Sequence, residues 1–159
     1  AAYVAVIGPG DGASEAECAL AFELGELLAS RGAVVLTGGR GGVMAAAARG
    51  AAAAGGTSVG LLPGTSRTDG EPAHTVLLAT GLGELRNGLL VRCADAVIAV
   101  GGSWGTLSEI ALAMRTGVPV VQLAGRSIDF ADRRPDEAAV AKAATPAEAV
   151  ATVLEQQSS

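Results

Sequence analysis

The sequence predicts an α/β protein built as a doubly wound, Rossmann-like parallel sheet with helices on both faces. Short apolar runs alternate with longer segments of helical character along the chain, which is the pattern of such a sheet. Two of the strand-to-helix junctions are rich in glycine, and ligands of doubly wound sheets bind at junctions of this kind. A length of 159 residues is that of one domain, so we expect residues 1–159 to form a single domain.

The first half of the chain alternates strands and helices up to residue 62. Ser14 and Glu17 form a capping box, which marks the start of the first helix, and Gly32 follows its end. The apolar runs beside the helices predict parallel strands. In chain order we expect a strand at 3–7, a helix at 14–31, a strand at 33–37, a helix at 43–54 and a strand at 57–62.

The second half continues this alternation after a polar loop at residues 63–73, which we expect to be exposed. The run at 96–100 has no polar alternation, so it predicts a strand that is buried on both faces. The segment after it has apolar residues at helical spacing. The other expected elements are a strand at 75–79, helices at 83–93 and 107–114, a strand at 118–123, an irregular segment at 124–135, a strand at 139–143 and a final helix that Thr145 and Pro146 open.

The stretch between residues 95 and 115 has the clearest functional pattern. Its strand leads into a loop made of Gly101, Gly102, Ser103, Trp104, Gly105 and Thr106. Glycines let a backbone approach a ligand closely, and the free N–H groups and dipole of a helix start favour an anion. We therefore expect the N–H groups of residues 102–106 and the Thr106 hydroxyl to hold a phosphate. Glu109, one turn into the helix, would face the other end of the ligand.

A second glycine-rich loop follows the second strand at residues 38–42. Four glycines in five residues exceed what packing alone requires, so we interpret Gly39, Gly41 and Gly42, together with Met44, as a second wall of the ligand site. A tight turn that packs a helix closely on a strand is the alternative interpretation.

The loop after the first strand is a third candidate. Gly8, Gly10 and Ala13 match the loose dinucleotide pattern G-x-G-x-x-A. NAD-binding proteins of this kind also have an acidic residue at the end of the second strand, and Thr37 and the glycines after it occupy that place. We therefore keep Gly8 and Gly10 as candidate ligand contacts and do not expect NAD to be the ligand.

Composition excludes several other functional classes. A net charge of −5 argues against binding nucleic acid or anionic membranes through bulk charge. The longest apolar stretch contains Arg49 and several glycines, so we expect no membrane span. One histidine, His74, which we expect in a surface loop, provides too little material for a catalytic triad or a His-rich metal site. Cys18 and Cys93 lack metal-ligand spacing, and we expect two buried free thiols in a reducing cytoplasm.

The two glycine-rich loops resemble motifs of the LONELY GUY family, whose members were long labelled lysine decarboxylases. Residues 101–109 resemble its P-G-G-x-G-T-x-x-E motif, and residues 38–44 resemble its G-G-G-x-x-G-x-M pattern. Family members are cytokinin-activating nucleotide phosphoribohydrolases, and Arg86 matches their catalytic arginine. The resemblance implies hydrolysis of the N-glycosidic bond of a nucleoside 5′-monophosphate, with Arg86 and Glu109 as catalytic residues and no required cofactor. A carboxylate near the ribose can stabilise an oxocarbenium-like transition state.

Two positions differ from the hydrolase motifs. Val100 replaces a proline, and Asn87 replaces the lysine that follows the catalytic arginine. This pattern resembles a sister group of short bacterial proteins that includes the molybdenum cofactor carriers, and Asn87 is a candidate contact there. The resemblance then implies a non-catalytic carrier or nucleotide sensor, because a pterin cofactor also ends in a phosphate. The candidate ligands are an AMP-like nucleotide and a molybdopterin-type molecule, and the implied assembly is a homodimer or homotetramer.

Overall fold

The computed structural model describes residues 1–125, 128 and 138–158. Its strands are β1 (Tyr3–Ile7), β2 (Val34–Thr37), β3 (Ser58–Leu62), β4 (Val76–Ala79), β5 (Ala96–Val100), β6 (Val120–Leu123) and β7 (Ala141–Ala143). Its α-helices are α1 (Glu15–Ser30), α2 (Val43–Ala53), α3 (Leu85–Cys93), α4 (Trp104–Thr116) and α5 (Pro146–Gln156). Each expected strand and helix is present with small shifts at its ends, and the polar loop after β3 contains a short 3₁₀ helix at Arg67–Asp69. The irregular segment expected at 124–135 lies largely outside the described residues.

The strands form one parallel sheet in the order β4-β3-β2-β1-β5-β6-β7. The chain builds from β1 outward to β4, and it then returns to place β5 beside β1, with Val4 opposite Ala96. The order therefore reverses between β1 and β5, and a crevice for a ligand forms outside the carboxyl ends of the strands at such a switch point. This topology confirms the predicted doubly wound fold.

Both faces of the sheet are covered by helices. Val4 and Val6 of β1 lie in a core cluster with α1, α2 and α5. Ala5 and Ile7, which alternate with them, lie in a second cluster with α3 and α4. All four side chains are therefore buried, which explains why β1 is apolar without the alternation of a half-exposed strand.

Small residues let α1 and α2 pack closely. A Cβ atom at Gly25 would collide with the carbonyl oxygen of Ala47, and one at Gly50 would collide with that of Phe22. The distance between packed helices depends on the side chains at their contact, so these glycines permit a short one. This contact fixes α2, and with it the glycine-rich loop that precedes α2.

Two expectations about single side chains are wrong. His74 is buried, with 7% of its surface exposed, because its ring packs beside the end of β2 and bonds to Thr37. Cys93, which we expected to be buried, is exposed at the end of α3, whereas Cys18 is half-buried. Within the described residues, no helix combines the length and apolar character needed to cross a membrane.

Candidate functional site

A cavity of about 200 Å³ opens at the carboxyl ends of β1 and β5, where the strand order reverses. Its walls come from the loop after β1, the loop after β2, α3 and the start of α4. The predicted residues that line it are Gly8, Gly10, Met44, Arg86, Asn87, Ser103, Gly105, Thr106 and Glu109. The fold therefore brings members of all three predicted loops together with both predicted catalytic residues.

Six predicted residues do not line this cavity, namely Gly39, Gly41, Gly42, Gly101, Gly102 and Trp104. Gly42 illustrates why a glycine is needed there. Its φ angle is 63°, and a Cβ atom would collide with the carbonyl oxygens of Pro9 and Gly10. Glycine at this position lets the loop after β2 pack against the loop after β1, as in the packing alternative. The cavity is also lined by residues that the sequence analysis did not select, among them Gly38, Pro9 and Leu90. Their positions beside strand ends or catalytic residues could have indicated them.

The anion loop begins a helix earlier than expected, because α4 starts at Trp104. Ser103 caps this helix: its Oγ accepts the Thr106 N–H at 3.3 Å and shares a hydrogen bond with the Thr106 hydroxyl at 2.9 Å. The Thr106 groups are therefore already engaged, and this residue is only 2% exposed. The first N–H groups of a helix have no intrahelical acceptor, so those of Trp104 and Gly105 stay available. Of these two residues, Gly105 lines the cavity.

Arg86 fixes the loop after β2. Its Nη1 donates to the carbonyl oxygens of Gly38, at 2.5 Å, and Leu61, at 3.0 Å. It forms no ion pair with Glu109, although both line the cavity; the ion pair found within the described residues joins Arg49 to Glu71. Burial lowers the pKa of Arg86, Glu109 opposes this change and Arg40 adds a smaller lowering. Its Nε is buried without an acceptor in the described part of the chain, an arrangement that a ligand oxygen could satisfy.

Glu109 combines a half-buried position with a shifted pKa. Burial raises the pKa of its carboxyl group to about 7, and the charge of Arg86 opposes the rise. Both protonation states of Glu109 are therefore populated near neutral pH, as a general acid or base requires. Shifted titratable groups in a cleft are typical of functional sites.

A hydrogen-bonded chain supports the loop after β2 from the side of β4. The Thr37 hydroxyl accepts the Gly39 N–H at 2.9 Å and donates to His74 Nε2 at 2.5 Å, while His74 Nδ1 donates to the Glu71 carbonyl at 3.0 Å. Burial lowers the pKa of His74 more than the Glu71 hydrogen bond and charge raise it, which favours the neutral ring. His74 therefore positions the loop and does not reach the cavity. No local sequence pattern indicates this role.

Comparisons with known proteins agree with this geometry. The chain is 36% identical to the molybdenum cofactor binding protein from the phototrophic bacterium Rippkaea orientalis, with a TM-score of 0.89 over 98% of this chain and 97% of that one. It is 35% identical to the molybdenum cofactor carrier protein MCP from Chlamydomonas reinhardtii, with a TM-score of 0.87 over 99% of both chains. An uncharacterised protein from Archaeoglobus fulgidus is 42% identical over 120 residues, which are 76% of this chain and 78% of that protein.

The resemblance to the molybdenum cofactor carriers and to the wider superfamily of the LONELY GUY proteins is thereby confirmed. The two solved relatives share the parallel sheet over almost their whole length. The model of the SLOG cluster4 family matches residues 1–150, which include all three glycine-rich loops and the cavity between them. The chain therefore belongs to the SLOG cluster4 family.

Proposed function

We propose that this protein binds a phosphate-bearing small molecule of the molybdopterin type and acts as its carrier. One observation supports this most directly: Gly105 and Arg86 line one cavity at the switch point, and each has a hydrogen-bond donor for which the described residues provide no acceptor. These are the N–H of Gly105, at the start of α4, and the Nε of Arg86. A helix N-terminus beside a guanidinium group suits a phosphate, whose oxygens accept several hydrogen bonds.

The residues of the cavity fit the organic part of such a cofactor. The molecule consists of a pterin ring, a dithiolene group that binds molybdenum, and a terminal phosphate. No histidine or cysteine lines the cavity, and no cluster of potential metal-ligating side chains occurs within the described residues. The protein would therefore hold the phosphate and the pterin, while the metal would keep the sulfur ligands of its own cofactor. The two solved relatives that are described as binding or carrying this cofactor add support.

The substitution Gly105→Asp tests the proposed phosphate position. Apart from its chain neighbours and the backbone of its own helix, a Cβ atom at this position has no described atom within 4 Å, so the side chain fits without disturbing the fold. A carboxylate in the first turn of a helix stabilises it, but this one would repel a bound phosphate. We expect the melting temperature to be unchanged or raised and the affinity for molybdenum cofactor released from a molybdoenzyme to fall at least about tenfold.

The matched control is Gly105→Asn, which has nearly the same shape without the charge. It should lose much less affinity than Gly105→Asp, as measured by retention of pterin fluorescence and molybdenum after gel filtration. Equal affinity in both variants and the wild-type protein would place the phosphate elsewhere and contradict this proposal.

Hydrolysis of a nucleoside 5′-monophosphate is a second candidate function, which the pKa of Glu109 favours. A carboxyl group with a pKa of about 7 can ionise at neutral pH beside the ribose of a bound nucleotide. Water would add to the anomeric carbon as the bond to the base breaks, and a proton would go to the departing base. The Glu109 carboxylate would stabilise the positive charge on the ribose, and Arg86 would hold the loop that faces the ligand.

Base release from AMP distinguishes this candidate from a carrier. If the site is catalytic, Glu109→Gln should lower the rate about a hundredfold or more, because one electrostatic group is lost, and should leave the affinity for the phosphate nearly unchanged. Chromatography of released adenine measures the rate. A wild-type protein that binds AMP and releases no adenine during a long incubation would eliminate the hydrolase and leave the carrier.

The protein would also form a homodimer or homotetramer through α3 and the start of α4. Leu85, Leu89 and Trp104 are apolar and exposed on these helices, and Leu82 is exposed just before α3. A group of large apolar side chains on one part of a surface is typical of a protein interface.

A further inference from the structure

A second cavity, of about 260 Å³, lies outside the loops that follow β2 and β3. Its lining consists of Arg40, Leu62, Pro63, Gly64, Asp69 and Gly83. Pro63 provides apolar surface, and Arg40 and Asp69, both exposed, provide one charge of each sign. A mixture of apolar walls and a few polar groups is typical of a small-molecule site.

The two charged groups of this cavity are unpaired. Arg40 and Asp69 have no hydrogen bond or ion pair through their side chains in the part of the chain that the structure describes, although they share one cavity. Opposite charges that stay apart in a cavity leave a donor group and an acceptor group for a ligand between them. A planar ligand edge with both donors and acceptors would satisfy both residues.

Arg86 lines the first cavity and is hydrogen-bonded to the backbone beside the second. Its Nη1 donates to the carbonyl of Leu61, the residue before Leu62, and its backbone N–H donates to the carbonyl of Gly83 at 3.1 Å. The charge of Arg40 also reaches Arg86, whose pKa falls mainly through burial and to a smaller extent through Arg40. Each cavity alone is smaller than the roughly 300 Å³ at which small-molecule sites begin, so a ligand of that class would have to occupy both.

We infer that the second cavity is the ring subsite of the same ligand and that it recognises a 2-amino-4-oxopyrimidine edge, as found in pterins and guanine. Asp69 would accept hydrogen bonds from the 2-amino group and the neighbouring ring N–H. Arg40 would donate to the oxo group, and Pro63 would cover the face of the ring. Charge-assisted hydrogen bonds of this kind are stronger than neutral ones and specify the ring edge. The inference rests on the proposed function, because the phosphate of the ligand would lie in the first cavity.

A pair of nucleotides tests the subsite, since GMP and IMP differ only by the 2-amino group. We expect the wild-type protein to bind GMP about tenfold more tightly than IMP, as for one hydrogen bond to a charged acceptor. Asp69→Asn should abolish this preference, and IMP, which keeps the ring N–H but has no amino group, should lose less affinity than GMP. Glu23→Gln, the same change on the exposed surface of α1, is the control and should keep the preference. Pterin and lumazine, which lacks the 2-amino group, show by the same comparison whether a pterin is also accepted.

The outcomes separate this inference from the proposed function. If inorganic phosphate, GMP and IMP compete for one site with no preference for GMP, the ring subsite is wrong and the phosphate site stands. If the preference for GMP persists in Asp69→Asn, another residue recognises the amino group and the assignment is wrong. If none of these probes binds, both proposals fail. Loss of the preference in Asp69→Asn alone, with an unchanged melting temperature, supports the inference.

Discussion

At the scale of single residues, the site depends on two titratable side chains whose charged forms are both disfavoured by burial. Burial disfavours the charged form of both Arg86 and Glu109, so the pKa of the arginine falls and that of the glutamic acid rises. Each charge partly offsets the change at the other, but no ion pair joins them. A ligand oxygen that reached Arg86 would add negative charge near Glu109 and favour the protonated carboxyl group.

The raised pKa of Glu109 predicts a pH dependence of stability. Below pH 4.5, its usual value, the carboxyl group is protonated in both the folded and the unfolded chain. Between pH 4.5 and about 7 the unfolded chain loses this proton first, so the free energy of unfolding decreases as the pH rises. We expect the wild-type protein to lose roughly 2–3 kcal/mol relative to Glu109→Gln over this interval.

Urea unfolding of both proteins at several pH values measures this difference. Because Glu109→Gln keeps the size of the side chain and removes its titration, other carboxyl groups should contribute equally to the two curves. Parallel curves for the two proteins would show that Glu109 ionises normally and would weaken its suggested role as an acid or base.

The sequence predicts the residues of the site best where they follow strand ends. Ser103, Gly105 and Glu109 come from one continuous stretch, and Arg86 from a family motif. By contrast, Arg40 and Asp69 are 29 positions apart in the numbering, and only the parallel pairing of β2 with β3 brings their loops together. Contacts of this kind leave no periodic or local pattern in a sequence.

At the scale of secondary-structure elements, glycines within helices have two different roles. In α2, a Cβ atom at Gly50 would collide with the backbone of α1, so the close packing of these helices requires glycine. In α3, a Cβ atom at Gly88 would meet only a methyl group of Leu112 at 3.7 Å, which is an ordinary contact. Helix propensity alone treats the two positions alike, because alanine favours helix over glycine at both.

The two positions therefore predict opposite effects of the same substitution. Gly50→Ala should lower the free energy of unfolding by about 1–3 kcal/mol, because the added methyl group overpacks the contact between α1 and α2. Gly88→Ala, its matched control in another helix, should raise it by about 0.5–1 kcal/mol. Urea unfolding measures both, and stabilisation by Gly50→Ala would contradict the close contact described here.

At the scale of the whole molecule, local sequence patterns predict the fold well, but they do not predict which apolar residues are exposed on the surface. Apolar runs and capping boxes locate the strands and helices, and the right-handed crossover rule restricts how a parallel sheet can connect them. The patterns do not distinguish a residue that covers the core from one that covers a partner. Leu85 and Leu90 both lie in α3 and are equally apolar, but Leu90 is buried and Leu85 is 75% exposed.

The exposed surface of α3 and the start of α4 leads to the last prediction. Leu85 and Trp104, which is 86% exposed, would be covered by a second copy of the chain. Leu85→Glu should separate the copies, because it would place a charge inside the contact, whereas a glutamate in the first turn of α3 should not harm the helix itself. We expect light scattering to give at least twice the chain mass of 15.5 kDa for the wild-type protein and the chain mass for Leu85→Glu.

Leu78→Glu is the matched control for this assembly. Leu78 is also an exposed leucine, 48% exposed, but it lies on β4 at the edge of the sheet. If α3 forms the contact, Leu78→Glu should keep the wild-type mass, since the new charge stays in water. A monomeric wild-type protein would refute the assembly, and dissociation by Leu78→Glu alone would move the contact from α3 to the edge of the sheet.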